Sequence, residues 1–66
     1  MNYNKLKGMV HAKGTTLQKM SQGIGVNQST LIRQCHTGKM PMLTVKKIIE
    51  FLNLTRDEIN YVFFEN

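Results

Sequence analysis

Apolar side chains recur three and four residues apart through most of this chain, the spacing that places them on one face of an α-helix. Such stripes lie within residues 3–13, 17–24, 42–52 and 56–64. The strongest stripe comprises Met42, Val45, Ile48, Ile49 and Leu52. A further segment, residues 28–36, has only Leu31 and Cys35 as inward positions. The pattern predicts an all-α domain of five short helices.

Capping residues and glycines mark the expected ends of these helices. The positions predicted to begin a helix are Thr15 or Thr16, Asn27, Pro41, and Thr55 with Glu58. For the second helix, Thr15 with Gln18 is the expected capping box. Threonine and asparagine oxygens bond the first backbone N–H groups of a helix, and proline fits a first turn. The positions predicted to end a helix are Gly14, Gly25 and Asn53, because glycine and asparagine adopt the left-handed conformation most easily.

Length and composition exclude several classes of protein. Sixty-six residues, of which 41% are apolar and 20% charged, are typical of one small globular domain. No apolar run approaches the roughly 18 residues of a membrane span, and the N-terminus lacks the pattern of a secretion signal. A single cysteine forms no internal disulfide. We therefore expect a cytoplasmic protein without a membrane partner.

The charges are divided unevenly along the chain. Residues 1–47 contain seven lysines, Arg33 and no acidic residue, a charge of +8, whereas residues 48–66 contain four acidic residues and Arg56, a charge of −3. A long stretch without a carboxylate repels itself, which indicates an anionic partner. Nucleic acid is favoured over a membrane surface, because a membrane would favour lysines along one long amphipathic helix. A merely solvated basic surface is the remaining interpretation.

The helix predicted at residues 28–36 presents a polar face with no role in the core. Glutamine and serine can form hydrogen bonds with base edges, isoleucine can contact a thymine methyl group, and arginine can form two hydrogen bonds with guanine. The alternative is an idle surface. We predict that the residues contacting bases are Asn27, Gln28, Ser29, Ile32 and Arg33.

Residues 16–31 resemble the helix-turn-helix of the lambda-type phage repressor and Cro family. The family pattern has apolar residues at four positions, held here by Met20, Ile24, Val26 and Leu31. It has a small residue at the position of Ser21 and a glycine at the position of Gly25. The Thr-Gly-Lys at 37–39 is similar to the loop that often follows the second helix of the motif. The resemblance covers nearly the whole chain. It implies a single compact, five-helix, lambda-repressor-like domain over residues 1–66, with the helix-turn-helix at about 16–36.

Three positions depart from the family pattern. Leu17 stands where glutamine is frequent, and Gln34 stands where a late apolar residue is expected in the third helix. One extra residue precedes Gly38, between the second helix of the motif and the loop that follows it.

The resemblance implies a transcriptional regulator, a Cro-like repressor in a phage or mobile-element genetic switch. Such a protein binds a palindromic operator in double-stranded DNA as a homodimer, with its third helix in the major groove. Phosphate contacts are expected from Gln18, Lys19 and Lys39. Three further lysines in the first helix, Lys5, Lys7 and Lys13, form either a solvated face or further phosphate contacts.

The C-terminal helix, at about residues 55–64, is too apolar for a tail and too acidic to face DNA. We predict that Tyr61, Phe63 and Phe64 form the dimer contact. The alternative is that these aromatic side chains close the core of the monomer, or that Phe63 and Phe64 serve one role each.

A protein-interaction module is the alternative function. The fold would then bind a second repressor, a polymerase subunit or, as an antitoxin, a toxin, and Ile32, Phe63 and Phe64 would anchor the interface. No enzyme, metal or cofactor is expected. His11, His36 and Cys35 lack the spacing of a metal site, and the five methionines are better explained as core filler.

Overall fold

A computed structural model describes residues 1–65, of which about three-quarters are helical and none form a strand. The helices are α1 (Tyr3–Ala12), α2 (Leu17–Ile24), α3 (Gln28–Thr37), α4 (Met42–Leu52) and α5 (Arg56–Ile59). A π-helical turn, Asn60–Phe64, continues α5. The all-α, five-helix fold predicted from the sequence is confirmed. No helix among these residues is both long enough and apolar enough to cross a bilayer.

Local capping signals set most of the helix ends. Asn27 caps α3, and Thr55 and Glu58 form the reciprocal capping box predicted at the start of α5. Asn53 ends α4 in the left-handed conformation. The predicted box of Thr15 with Gln18 is wrong, because Thr16 caps α2 by accepting a hydrogen bond from the backbone N–H of Lys19 at 3.1 Å.

The inward face of α4 is rotated from the predicted stripe. Val45, Ile48 and Leu52 are buried as predicted, but Met42 is 64% exposed and Thr44 is buried instead. Successive residues are about 100° apart around the axis, so Met42 lies roughly 90° from the centre of the stripe. Pro41 precedes the helix as its N-cap residue and does not lie in its first turn.

One core joins all five helices and the π-helical turn. Its fully buried side chains are Leu6, Val10, Met20, Leu31, Ile48 and Val62. Helix α2 packs on α1, α3 and α4, while α1 also packs on α3 and on the π-helical turn. Ser21 is buried, and its hydroxyl donates to the carbonyl of Gln18 at 2.9 Å. Nearby, the Phe51 ring packs against Gly23, where no larger residue would fit without moving that ring.

The C-terminal aromatic residues divide between the core and the surface. Phe63 is only 8% exposed and closes the core of the monomer, which corrects its assignment as a dimer contact. Tyr61 and Phe64 are 43% and 70% exposed. The helix predicted to reach Phe64 does so, but its last five residues are π-helical.

Candidate nucleic-acid interface

A short, hydrogen-bonded turn joins α2 to α3. Gly25 adopts a left-handed conformation (φ +74°), and its N–H donates to the carbonyl of Gln22. The N–H of Val26 then donates to the carbonyl of Ser21 at 3.0 Å. Glycine suits this position because it has no Cβ to clash in the left-handed conformation. These bonds fix the direction in which α3 leaves the turn.

Helix α3 presents a polar face to solvent. Leu31 and Cys35 are buried and anchor the helix, whereas Gln28, Ser29 and Arg33 are exposed. The ten residues of α3 extend for about 15 Å, and the major groove of DNA is about 12 Å wide. Among the predicted base-contacting residues Ile32 is partly buried, so it offers less surface than expected.

Asn27 and Ser29 are joined by two hydrogen bonds at the start of α3. The Asn27 Oδ1 accepts hydrogen bonds from the Ser29 N–H at 2.9 Å and from the Ser29 hydroxyl at 2.6 Å. The amide oxygen of Asn27 therefore caps the helix, and its amide NH₂ is the group left to donate to a base. Ser29 can still accept a hydrogen bond through its hydroxyl oxygen.

The residues predicted to contact phosphate lie near the two ends of α3. Gln18 and Lys19 are exposed in the first turn of α2, and Gln18 shares a surface cleft with Gln28 at the start of α3. The first N–H groups of a helix have no partner inside it and suit an anion. Lys39 follows the other end of α3, where its N–H donates to the Thr37 hydroxyl at 3.3 Å. One end of α3 is thus flanked by Gln18 and the other end by Lys39, while Lys19 is exposed in the same turn of α2 as Gln18.

An ion pair joins the end of α1 to the start of α5. The Lys13 Nζ lies 2.9 Å from the Glu58 Oε1. The same carboxylate accepts a hydrogen bond from the Thr55 N–H at 2.8 Å. That backbone hydrogen bond and the Lys13 ammonium lower the pKa of Glu58. Lys13 therefore neutralises a carboxylate of the protein itself.

Two polar groups of α3 face inward. Cys35 is a buried free thiol, and its burial raises the pKa of that thiol, so the thiolate is scarce at neutral pH. Gln34 is partly buried, and its Oε1 lacks a hydrogen-bond partner among residues 1–65. Gln34 occupies the position where the family pattern expects an apolar residue. Within the same residues, no cluster of three His, Cys, Asp or Glu side chains could hold a metal ion.

One contact beside α3 was not predicted from the sequence. The rings of Tyr3 and His36 lie 5.1 Å apart between centroids, which joins the start of α1 to the end of α3. The only signal available in the sequence is the four-residue spacing of Tyr3, Lys7 and His11, which places them on one side of α1.

Comparison with protein-family models, with curated proteins and with solved structures found no match for this chain. The candidate interface is therefore defined by its own geometry. It consists of the exposed face of α3, the start of α2 and the loop that contains Lys39.

Proposed function

We propose that this protein is a sequence-specific DNA-binding transcriptional regulator, a Cro-like repressor whose α2 and α3 act as a helix-turn-helix. The observation that carries the proposal is the exposed polar face of α3, held on two buried anchors within a region that has no carboxylate before Glu50. A polar face of this kind has no role in the core, and its side chains match the donors and acceptors of base edges. The protein would act in the cytoplasm, on the DNA of its host.

Phosphate contacts would fix α3 in the major groove. Gln18 and Lys19 would bind the backbone beside the start of α3, and Lys39 would bind it beyond the other end. Because α3 is about as long as the groove is wide, contacts near both of its ends suit the two phosphate backbones that border the groove.

One protomer would contact too few base pairs to specify a single operator, so a homodimer would be needed. The longest dimension of the protein is 26 Å, which spans about eight base pairs at roughly 3.4 Å each. Two protomers on a palindrome would place their α3 helices about one helical turn, roughly 34 Å, apart. Tyr61 and Phe64 supply exposed aromatic surface for the contact between protomers.

Selection of random DNA duplexes by the purified protein tests this function. The selected sites should be palindromic, with half-sites about one turn apart. Arg33→Ala should lose about 1–3 kcal/mol of binding and tolerate any base at one position of each half-site. Arg56→Ala is the matched control, since it removes an exposed arginine from the acidic part of the chain. An unchanged site and affinity for Arg33→Ala would contradict the assignment of the α3 face.

Lys39→Ala tests the expected phosphate contact separately. A phosphate contact carries no sequence information, so this variant should bind every duplex more weakly by the same factor and reduce the salt slope by about one. A loss confined to certain base sequences would show that Lys39 contacts bases.

A protein-interaction module remains the second candidate, and one observation favours it. Met42 and Leu43 are adjacent at the start of α4 and are 64% and 65% exposed, so they offer neighbouring apolar side chains to a partner protein. A second repressor, a toxin or a polymerase subunit could cover them. Equal affinity for all DNA sequences, together with tight binding of one such protein that Leu43→Ser abolishes, would favour this function over operator binding.

A further inference from the structure

The polar side chains of α1 form two rows, one on each side of its buried residues. Leu6 and Val10 point into the core. With about 100° between successive residues, Tyr3, Lys7 and His11 form a row on one side of them. Lys5, and Lys13 at the C-cap of α1, lie on the opposite side, so these three lysines do not share one face.

The side of α1 that carries Lys5 and Lys13 faces the C-terminal part of the protein. The Lys13 Nζ is paired with the Glu58 carboxylate at 2.9 Å. The Lys5 Nζ lies 4.5 Å from the centre of the Tyr61 ring, within the range of a cation–π interaction. Both ammonium groups are therefore engaged by the acidic, aromatic end of the chain.

The row that contains Lys7 faces α2 and α3 instead. The Lys7 Nζ lies 5.5 Å from the centre of the Tyr3 ring, and that ring contacts His36 at the end of α3. Further along α1, Lys7 and His11 line a cleft together with Leu17 at the start of α2. The row thus runs from the end of α3 to the start of α2.

We propose that the α1 ridge, defined as Tyr3, Lys7 and His11 with the adjoining His36, is an additional contact surface for the DNA backbone. This inference rests on the proposed function. It separates the three lysines that the sequence left undecided, assigning a phosphate contact to Lys7 but not to Lys5 or Lys13, and it adds Tyr3, His11 and His36. Charge complementarity supports it, because no carboxylate is present within residues 1–47 and every ionisable side chain of the ridge can donate a hydrogen bond to phosphate.

Continuity with the expected interface also supports the inference. The ridge adjoins the first turn of α2, where Gln18 and Lys19 are expected to bind phosphate. From Tyr3 to His11 the ridge rises about 12 Å along α1, which equals the axial rise of three to four phosphate-to-phosphate steps along one strand. A backbone that reaches the start of α2 could therefore continue along the ridge.

Three alanine variants of one helix test the inference: Lys7→Ala, with Lys5→Ala and Lys13→Ala as matched controls. Each removes one positive charge from α1, so their long-range electrostatic effects are closely similar. Binding is measured by fluorescence anisotropy on a duplex with one half-site, which keeps dimer formation out of the result, over a range of salt concentrations. Circular dichroism melting checks that each variant is folded.

Lys7→Ala should reduce the slope of log affinity against log salt by about one, and the two controls should leave that slope unchanged. A slope of about 0.9 per phosphate contact means that losing one contact lowers affinity about eightfold at 0.1 M salt relative to a 1 M reference. The loss should be the same on scrambled DNA, because the contact is to the backbone. Lys7→Arg should restore the slope.

Equal effects of all three variants would overturn the inference and show that only the net charge of α1 matters, while the proposed function would stand. A loss for Lys7→Ala that depends on base sequence would also overturn it, by making Lys7 a base contact. Failure of the unaltered protein to bind DNA would refute the proposed function together with the ridge.

Discussion

Replacing Gln34 by methionine should stabilise the protein, because the side chain buries an amide oxygen without a hydrogen-bond partner. A buried, unsatisfied polar group costs about 1–3 kcal/mol. Methionine has nearly the same length and the same helix propensity as glutamine, so the exchange removes the polar atoms and changes little else. We expect the free energy of unfolding to rise by about 1–2 kcal/mol.

Urea unfolding followed by far-ultraviolet circular dichroism measures this change. The midpoint should move to higher urea with an unchanged m value, and the melting temperature should rise by roughly 4–8 °C for each kcal/mol. Gln22→Met is the matched control, since Gln22 is exposed on α2 and its replacement should change stability by less than about 0.5 kcal/mol.

Affinity for DNA should not change with Gln34→Met. Gln34 is about 100° around α3 from Arg33, on the side away from Ser29. A Gln34→Met variant that is no more stable than the Gln22→Met control would refute the reasoning, because the amide would then be satisfied in solution.

Three other substitutions or reactions test separate features of the fold. Gly25→Ala should destabilise the protein by about 1–2 kcal/mol, because φ at Gly25 is +74°. Gly8→Ala should stabilise it by roughly 1 kcal/mol, because Gly8 lies in the middle of α1 with open space around it. Equal urea midpoints for the two variants would contradict this reasoning. The pKa of Glu58 is lowered from its ordinary 4.5 by the Thr55 N–H and by Lys13, so its stabilising effect is complete above that value and is lost as the pH falls through the lower folded pKa. Unfolding curves of Glu58→Gln and the unaltered protein should therefore converge in acid, and a constant difference would contradict the assignment. Burial raises the pKa of the Cys35 thiol, so iodoacetamide should label it slowly at neutral pH and much faster in urea; rapid labelling of the folded protein would show that the thiol is accessible.

The sequence predicted the helix ends best where a signal is complete within a few residues. At the junction of α4 and α5, the N–H of Leu54 donates to the carbonyl of Ile49 at 3.1 Å. Thr55 and Glu58 then exchange their capping hydrogen bonds. Both arrangements depend on neighbouring residues alone, so the sequence contains what is needed to predict them.

Choices between adjacent, similar residues could not be made from the sequence. Thr15 and Thr16 are equally able to cap a helix, and the inward positions of the whole helix decide between them. Phe63 and Phe64 are equally apolar, and the π-helical turn determines that Phe63 enters the core. Each of these outcomes depends on how distant segments pack.

The candidate site was likewise predictable where helical spacing decides and not where packing decides. Helical spacing was enough to predict that Ser29 and Arg33, four residues apart, share an exposed face. Gln28 is exposed as well, but it lies about 140° around the axis from Arg33, at the first position of the helix. The cap at Asn27 was predicted correctly, but the further hydrogen bond from the Ser29 hydroxyl to the Asn27 oxygen was not, because a hydroxyl two residues from a capping asparagine has no sequence signature of its own. The α1 ridge could be predicted only in part. Lys7 was one of three candidate lysines, and the way α1 packs distinguishes it from Lys5 and Lys13.

Fluorescence anisotropy with DNA from upstream of the protein's own gene tests the central claim most directly. A scrambled duplex of equal length and composition is measured beside it, at roughly 50 and 200 mM salt. The account predicts a preference of about a thousandfold or more for the upstream DNA, retained at the higher salt. Equal binding of both duplexes that is lost at the higher salt would contradict sequence-specific regulation and leave only a basic helical domain.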